Sequence, residues 1–303
     1  MLRDADLLRD LAPAAGRLFD RHLAQTKEWF PHELVPWSRG ADFEPGEGWD
    51  PETVPMDDAV RSALLVNLLT EDNLPYYFHA ITDMFGDDDV WGAWTRRWTA
   101  EEGRHAIVIR DYLTVTRTLD PVDLERNRMH QVSVGYSRAK LPNATDGMVY
   151  VALQELATRI AHRNTGKLLD DPAGQEVMKR VAADENFHYL FYRDLVAESL
   201  AADPSGTVQA IERQVECFEM PGTGIVDFKR HAQAIADAGI YDVAIHHGQI
   251  LVPVVLRAWG IAELTGLDDA AEAARDRLLD RIERIGRIGA RLAERRQSQL
   301  TSV

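Results

Sequence analysis

Apolar side chains recur every three or four residues through most of the chain, which is the spacing of one face of an α-helix. No stretch of the sequence sustains the alternation that is typical of a strand. We therefore predict an all-α protein. The predicted helices cover about 4–27, 58–85, 90–118, 121–138, 146–169, 173–202, 208–217, 226–238, 243–258 and 268–299.

Two of these apolar stripes are interrupted by the strings Glu102-Gly103-Arg104-His105 and Glu185-Asn186-Phe187-His188. A Glu and a His three residues apart lie on one helix face, so each pair can reach the same metal ion. A buried glutamate with nothing to neutralise it is costly, and each one therefore needs a partner.

A further glutamate precedes each pair inside an apolar helix. Glu71 lies 31 residues before Glu102, and Glu155 lies 30 residues before Glu185. Such regular spacing indicates an internal repeat of one helical hairpin.

Two antiparallel hairpins, over about 58–118 and 146–202, make a four-helix bundle. One Glu from each of two helices and a Glu-x-x-His from each of the other two is the ligand set of ferritin-like di-iron and di-manganese carboxylate proteins, and we match the sequence to that known set. Two divalent ions bring four positive charges, which four carboxylates neutralise. Buried Glu–His pairs without a metal are the alternative, but they would have to explain both copies of the repeat.

An additional acid precedes each repeated Glu, Glu101 in the first pair and Asp184 in the second. A metal-bound imidazole usually donates its other ring N–H to a carboxylate or carbonyl. We expect His105 to pair with Asp184 and His188 with Glu101, and Arg104 to bridge one of these acids. The alternative is that these charges face solvent.

Pro75 falls four residues after Glu71 within the predicted 58–85 helix. Proline cannot donate a hydrogen bond to the Glu71 carbonyl, and its ring crowds that turn. We predict a kink or bulge in the helix beside the site.

The composition fits a cytoplasmic protein that has no membrane span. The longest strongly apolar run covers 250–256 and contains Pro253, whereas a span needs about 20 residues. The N-terminal residues are charged throughout, so we expect no signal peptide. The single cysteine, Cys217, excludes an internal disulfide framework. We expect residues 1–303 to form one domain, with the helices of 207–299 flanking the bundle.

The formal net charge of −15 argues against nucleic-acid binding. The region 275–296 departs from this balance with eight arginines and four acids. An ion-paired terminal helix and a docking surface for an acidic partner are both open interpretations.

Five motifs together resemble those of the soluble acyl-acyl-carrier-protein desaturases, and most closely the actinobacterial members related to the plant stearoyl-carrier-protein enzyme. The similarity extends from about Leu7 to the basic C-terminal helix. The motifs are Thr70-Glu71-Asp72-Asn73-Leu74-Pro75, Trp98-Thr99-Ala100-Glu101-Glu102-Gly103-Arg104-His105, Gln154-Glu155-Leu156-Ala157-Thr158, His162-Arg163-Asn164-Thr165-Gly166-Lys167 and Ala183-Asp184-Glu185-Asn186-Phe187-His188.

This resemblance implies a centre of two iron ions with dioxygen as a co-substrate. It also implies reduced ferredoxin or a similar electron donor, a saturated acyl chain on an acidic acyl carrier protein, and a homodimer. The matching positions imply Thr158 beside the oxygen-binding face and Trp29 on the electron-entry side. The iron ligands that it implies are Glu71, Glu102, His105, Glu155, Glu185 and His188.

The chain departs from the family at two places. Gly103 stands where the family often has Asn, and the segment 131–146 is shorter than in close relatives, which bears on the shape of the substrate entrance.

Three other functions are compatible with this ligand set. One is a related di-iron oxygenase, or a desaturase that acts on a different carrier-bound chain. Another is a radical-generating site of the ribonucleotide-reductase kind, for which Tyr192 could serve. The third is a non-catalytic metal-binding protein, either for iron storage or as a degenerate scaffold.

Overall fold

The computed structural model describes residues 4–44, 46, 48–135 and 141–300, and this part of the chain is helical with no strand. The predicted all-α class is confirmed. The α-helices are α1 (Asp4–Gln25), α2 (Pro31–Leu34), α3 (Asp58–Glu71), α4 (Leu74–Phe85), α5 (Asp89–Thr116), α6 (Pro121–Val134), α7 (Ala144–Leu168), α8 (Pro172–Ala202), α9 (Pro204–Glu216), α10 (Phe228–Asp237), α11 (Val243–His246) and α12 (Asp269–Leu300).

Short polar side chains fix where the bundle helices begin. Asp57 accepts a hydrogen bond from the Ala59 N–H at the start of α3, and Asn143 accepts one from the Asp146 N–H at the start of α7. Asp171 caps α8 in the same way. These caps satisfy N–H groups that have no partner within the helix.

The helices α3, α5, α7 and α8 pack together as the four-helix bundle. Helix α4 packs against α5 and α7, and α1 packs across α5, α7 and α8. The later helices α9 and α12 pack against each other, while α10 covers α3. None of the described helices is long and apolar enough to span a bilayer.

The first hairpin is interrupted beside the site, as Pro75 predicts. Helix α3 ends at Glu71 and α4 begins at Leu74. In the turn between them, the Asn73 N–H donates to the Thr70 carbonyl oxygen at 3.2 Å, a tighter spacing than in an α-helix. The single predicted helix 58–85 is therefore two helices.

Two other predicted helices differ in detail. Helix α6 ends at Val134 because Gly135, at φ +73°, closes it and its N–H donates to the Gln131 carbonyl oxygen; the predicted end at residue 138 lies outside the described residues. The predicted 243–258 helix turns π-helical from His247 to Ala258.

The basic terminal helix is largely ion-paired. Five of its eight arginines contact acids, and three of those acids come from other elements. The pairs are Arg275–Asp276, Arg277–Glu212, Arg281–Glu216, Arg287–Glu283 and Arg296–Asp242. This favours the ion-paired interpretation over a continuous docking surface.

Candidate metal centre

The six residues expected to bind metal meet in the middle of the bundle, and each is buried. Every bundle helix contributes at least one of them, so the site depends on the register of all four helices. They are Glu71 from α3, Glu102 and His105 from α5, Glu155 from α7, and Glu185 and His188 from α8.

The ligand atoms form two groups, and within each group they lie within 4.8 Å of one another. Each group has one imidazole and three carboxylates, and Glu102 and Glu185 belong to both. Two carboxylates that belong to both groups are expected where two cations are bound side by side. The geometry therefore accommodates two metal ions.

Several buried donor atoms at this centre have no hydrogen-bond partner in the described part of the protein. They include Nδ1 of His105 and of His188, Oε1 of Glu102, and Oε2 of Glu155 and of Glu185. Buried polar atoms normally find hydrogen-bond partners. This many unpartnered atoms at one place indicate that an ion binds there.

The spacing of these atoms also fits a cation. His188 Nδ1 lies 2.8 Å from Glu102 Oε1 without hydrogen-bond geometry, and His105 Nδ1 lies 3.3 Å from Glu102 Oε2. Neighbouring ligand atoms on a divalent ion, with bonds of about 2.0–2.2 Å, are about 3 Å apart when the angle between them is near 90°. The nitrogen and oxygen donors suit iron, zinc or manganese.

The second ring nitrogen of each histidine points to the expected acid. His105 Nε2 lies 3.4 Å from Asp184 Oδ2, and His188 Nε2 lies 2.9 Å from Glu101 Oε2. A proton on Nε2 leaves the Nδ1 lone pair available to a metal. Both contacts predicted from the repeat are present.

Asp184 also receives hydrogen bonds from its surroundings. The Trp29 indole N–H donates to it at 2.8 Å, Arg104 donates at 3.2 Å, and Arg180 pairs with its other oxygen. Burial alone would raise the pKa of Asp184, but the His105 contact and these donors outweigh burial and lower it. Asp184 therefore stays ionised, and Arg104 is placed as the sequence predicted.

His22 on α1 is a residue of this region that sequence reasoning missed. Its Nε2 lies 2.9 Å from the same Glu101 oxygen that His188 contacts, and Arg97 donates to the other oxygen at 2.6 Å. Burial raises the pKa of Glu101, but the hydrogen bonds from His188 and His22 hold it well below its usual range. The available signal was that His22 continues the buried stripe of α1.

His162 on α7 is a second residue without a predicted role. Its Nε2 lies 3.0 Å from Glu71 Oε1 and 3.6 Å from Glu185 Oε1. Burial lowers the pKa of His162, but the contacts with Glu185 and Glu71 outweigh burial and raise it to about 9. The signal was its position seven residues after Glu155, two turns along the same helix face.

The carboxylates of the cluster differ in their tendency to hold a proton. Burial and the nearby charge of Glu185 raise the pKa of Glu155 well above its usual value. Burial acts on Glu185 in the same direction, but contacts with His162 and His188 lower its pKa well below the usual value. Trp98 fixes Glu155 by donating its indole N–H at 3.0 Å.

A largely apolar cavity of about 310 Å³ reaches the cluster. Four glutamates of the cluster lie at its inner wall, and Ile81, Met84 and Val151 are among the apolar residues that line it. A second cavity of about 140 Å³ adjoins it and shares Thr70, Glu71, Thr158 and Pro221. The two together provide a mostly apolar space beside the metal site that an extended apolar molecule could enter.

Thr158 lies between the two cavities, one turn after Glu155. Its hydroxyl donates to the carbonyl oxygens of Gln154 and Glu155 at 3.2 and 3.1 Å. Of the segment 131–146 that bears on the entrance, residues 136–140 lie outside the described part of the chain.

Tyr192 is a buried core aromatic whose hydroxyl accepts a hydrogen bond from the Trp94 indole N–H at 3.0 Å. Burial raises its pKa, so the phenol holds its proton. This contact matches a packing role for Tyr192 and does not favour the radical-generating alternative.

Comparison with known proteins gives consistent results. A model of a family described as fatty acid desaturase matches residues 3–303. The chain is 41% identical over 286 residues to a Mycobacterium tuberculosis protein named "Putative acyl-acyl-carrier-protein desaturase DesA1", covering 91% of this chain and 84% of the relative. It is 30% identical over 259 residues to the chloroplastic stearoyl-acyl-carrier-protein 9-desaturase 6 of Arabidopsis thaliana, covering 80% and 66%.

The fold is also similar to a solved structure. The X-ray structure of the "putative acyl-ACP desaturase DesA2" from Mycobacterium tuberculosis H37Rv superimposes with a TM-score of 0.71 at 29% identity. The match covers 89% of this chain and 99% of that one.

Proposed function

This chain belongs to the fatty acid desaturase family, and we propose that it uses a di-iron centre and dioxygen to introduce a cis double bond into a saturated acyl chain carried on acyl carrier protein. The reaction belongs to fatty acid biosynthesis. The enzyme is an oxidoreductase, and its relatives named above are acyl-acyl-carrier-protein desaturases.

The observation that carries this proposal is that the metal cluster lines the apolar cavity. The unpartnered donor atoms of the cluster would hold two ions, and the glutamates among them form the inner wall of the cavity. An acyl chain in that cavity would lie directly against the metal site. Binding of the chain in a largely apolar cavity also keeps a reactive oxidant from water and from other side chains.

The side chains hold and orient the site rather than carry out the oxidation. Glu102 and Glu185, which belong to both groups of ligand atoms, would hold the ions together with Glu71, Glu155 and the two histidines. Each histidine would offer Nδ1, while its Nε2 is fixed by Asp184 or Glu101. Bound iron would supply the activation of dioxygen that allows hydrogen to be removed from two adjacent unactivated carbons, which no side chain can do.

The stoichiometry of the reaction requires an external reductant. Forming one double bond from a saturated pair of carbons with one dioxygen consumes two electrons and two protons and releases two waters. The source of these electrons would be ferredoxin or a similar one-electron donor. We further propose that the enzyme is a cytoplasmic homodimer.

Trp29 is proposed to lie on the electron-entry side. Its indole N–H donates to Asp184, its ring is stacked on His105 at a centroid separation of 6.5 Å, and Arg104 lies over its face. These contacts connect the tryptophan to a proposed iron ligand. Thr158 is proposed to stand beside the oxygen-binding face, since it lines both cavities one turn from Glu155.

The first test measures iron and product on the same preparation. Wild type should bind two irons per chain, and Glu102→Ala with His105→Ala should lose them. Chemically reduced wild type, given stearoyl or palmitoyl carrier protein and dioxygen, should form a monounsaturated product in a single turnover.

A matched control is Glu176→Gln, which removes an exposed acid on α8 outside the cluster and should leave iron binding and product unchanged. A hydroxylated product would indicate an oxygenase instead. Two irons with no altered acyl chain would contradict the desaturase proposal, and a tyrosyl radical signal would indicate the radical-generating alternative.

A further inference from the structure

A basic groove of about 630 Å³ runs between α7 and α8 on the outside of the bundle. Its charged residues are Arg159, Arg163 and Lys167 on α7 and Lys179 on α8, and we refer to it as the α7–α8 groove. We propose that the α7–α8 groove binds the acidic electron-donor protein that the reaction requires. This inference rests on the proposed function and assigns a partner surface to it.

The charge of the groove is unusual in this protein. The chain as a whole carries −15, yet none of the described residues that line the groove is an acid. Within the described residues Arg159, Arg163 and Lys167 form no ion pair, in contrast to most arginines of α12. A cluster of unneutralised cations creates a local positive potential that attracts and orients an acidic protein.

Two details support this potential. Burial and the adjacent Arg163 charge lower the pKa of Arg159, so these two cations are close enough to repel each other. Among the described residues, Lys179 pairs with Glu176 alone, an exposed neighbour on its own helix at 2.9 Å. An exposed ion pair of that kind is weak, so Lys179 can leave Glu176 and pair with a carboxylate of a partner protein.

The position of the groove separates it from the path of the acyl chain. On α7, Gln154, Glu155 and Thr158 line the cavity, whereas the groove is lined by Arg159, Arg163 and Lys167, which lie farther toward the C-terminal end of the helix. A carrier protein must thread its acyl chain into the cavity and so must dock at the cavity mouth. The α7–α8 groove suits a partner that approaches the metal site but delivers nothing into the cavity.

The groove is also close to the cluster through aromatic contacts. Phe187, on its wall, contacts the His22 ring edge-on at a centroid separation of 6.2 Å. His22 is stacked on His188 at 5.8 Å, and both rings contact Glu101. A donor seated in the groove would therefore be two ring contacts from His188. It would also lie on α8, the helix whose Arg180 and Asp184 contact Trp29, the residue proposed for electron entry.

The test compares two charge-reversal variants with the same change in net charge. Arg163→Glu with Lys167→Glu alters the groove, and Arg291→Glu with Arg295→Glu alters exposed arginines of α12 that form no ion pair in the described part of the chain. The oxidised di-iron protein is reduced anaerobically in a stopped-flow instrument, either by a reduced plant-type [2Fe–2S] ferredoxin or by dithionite.

At low salt, we expect ferredoxin to reduce the groove variant at least about tenfold more slowly than it reduces wild type. This difference in rate should become smaller as salt is added. Dithionite should reduce wild type and both variants at the same rate, because it needs no docking surface. The α12 variant should behave as wild type with ferredoxin.

Three outcomes would overturn the inference. One is an equal loss of ferredoxin-dependent rate in the α12 variant, and another is an unchanged ferredoxin rate with weaker binding of acyl carrier protein. The third is a change in the molecular mass of the groove variant in solution, which would make the groove a contact between copies of the chain. Failure of the proposed function would show separately, as absence of unsaturated product from chemically reduced wild type.

Discussion

Asp184 and Glu101 determine how the two histidines of the cluster are used. Each acid accepts from an imidazole Nε2, so Nδ1 faces the site and carries the lone pair whenever the ring is neutral. Each acid is in turn held by an arginine and by a further ring donor, Trp29 for Asp184 and His22 for Glu101. The ligands are oriented before metal arrives.

Removal of this orientation should weaken metal binding without removing a ligand. In Asp184→Asn, the buried amide would replace a carboxylate that holds His105, Trp29 and Arg104. We expect iron affinity to fall about ten- to a hundredfold, the usual effect of losing such a partner. Competition with a chelator measures the affinity of the variant against wild type. Retention of wild-type affinity would show that Asp184 does not support His105.

His162 provides a sharper distinction between a ligand and a supporting residue. Its Nε2 contacts Glu71, but its Nδ1 does not belong to either group of ligand atoms. We expect His162→Ala to retain two irons per chain while lowering the free energy of unfolding of the metal-free protein by about 1–3 kcal/mol, because Glu71 loses a buried partner.

The control for that prediction is His162→Gln, which keeps a side-chain N–H at the same place and should recover part of the lost stability. Urea unfolding and iron analysis of the same preparations give both quantities. Loss of one iron in the alanine variant would mean that His162 is itself a ligand.

Helix spacing explains which site residues the sequence could identify. The repeat predicted six ligand residues, and the structure brings all six together. It also predicted that Asp184, Glu101 and Arg104 lie beside them. It could not predict His22, which comes from a helix outside the repeat, or the contact of His162 with Glu71 across the bundle. Both contacts depend on the register between helices, which one sequence does not contain.

Two glycines show how differently the helices tolerate an added methyl group. Gly103 lies between Glu102 and His105, and a Cβ there would contact only Leu74, at 3.8 Å. Gly174 lies at the start of α8, where a Cβ would be 2.5 Å from the Tyr112 hydroxyl oxygen, which is itself bonded to Asp171. The first site is open and the second is closely packed.

We expect Gly103→Ala to raise the free energy of unfolding by about 0.5–1 kcal/mol, because alanine loses less entropy in a helix interior. Gly174→Ala should lower it by about 1–3 kcal/mol, because Tyr112 must move and give up its hydrogen bond. Urea unfolding of the two variants measures both changes. Destabilisation by Gly103→Ala would show that the helix between the ligands cannot accept a side chain.

Local chemistry predicted the helices better than it predicted their interruptions. The caps at Asp57, Asn143 and Asp171 have sequence signatures, and the break before Pro75 follows from its missing N–H. The π-helical turn over His247–Ala258 was not predicted, since its apolar spacing resembles that of an α-helix. This segment packs against α7 and α12.

The cluster makes the stability of the whole protein depend on metal and on pH. Contacts with buried carboxylates raise the pKa of His162 from 6.5 to about 9 and those of His105 and His188 well above 6.5, despite burial, which acts in the opposite direction. A group whose pKa is raised on folding stabilises the protein fully below its unfolded pKa and loses that effect as pH rises through the folded value. Glu155, with a raised pKa, acts in the same direction.

The metal-free protein should therefore lose stability between about pH 6.5 and pH 9. The shift of His162 alone corresponds to about 3 kcal/mol. Glu101 and Glu185, whose pKa values are lowered, remain ionised throughout this range and add no slope. Iron binds neutral imidazoles, so the iron-loaded protein should be more stable at every pH and show a smaller decline.

Anaerobic urea unfolding at pH 6.5 and pH 9, with and without ferrous iron, measures these four free energies. The metal-free His162→Gln variant is the control, because it lacks the titrating group and should show a smaller decline than wild type. If the metal-free wild type were as stable at pH 9 as at pH 6.5, the buried histidines would be neutral without metal. The hydrogen bonds of Asp184 and Glu101 would then set the ligand tautomers by themselves, with no contribution from imidazole charge.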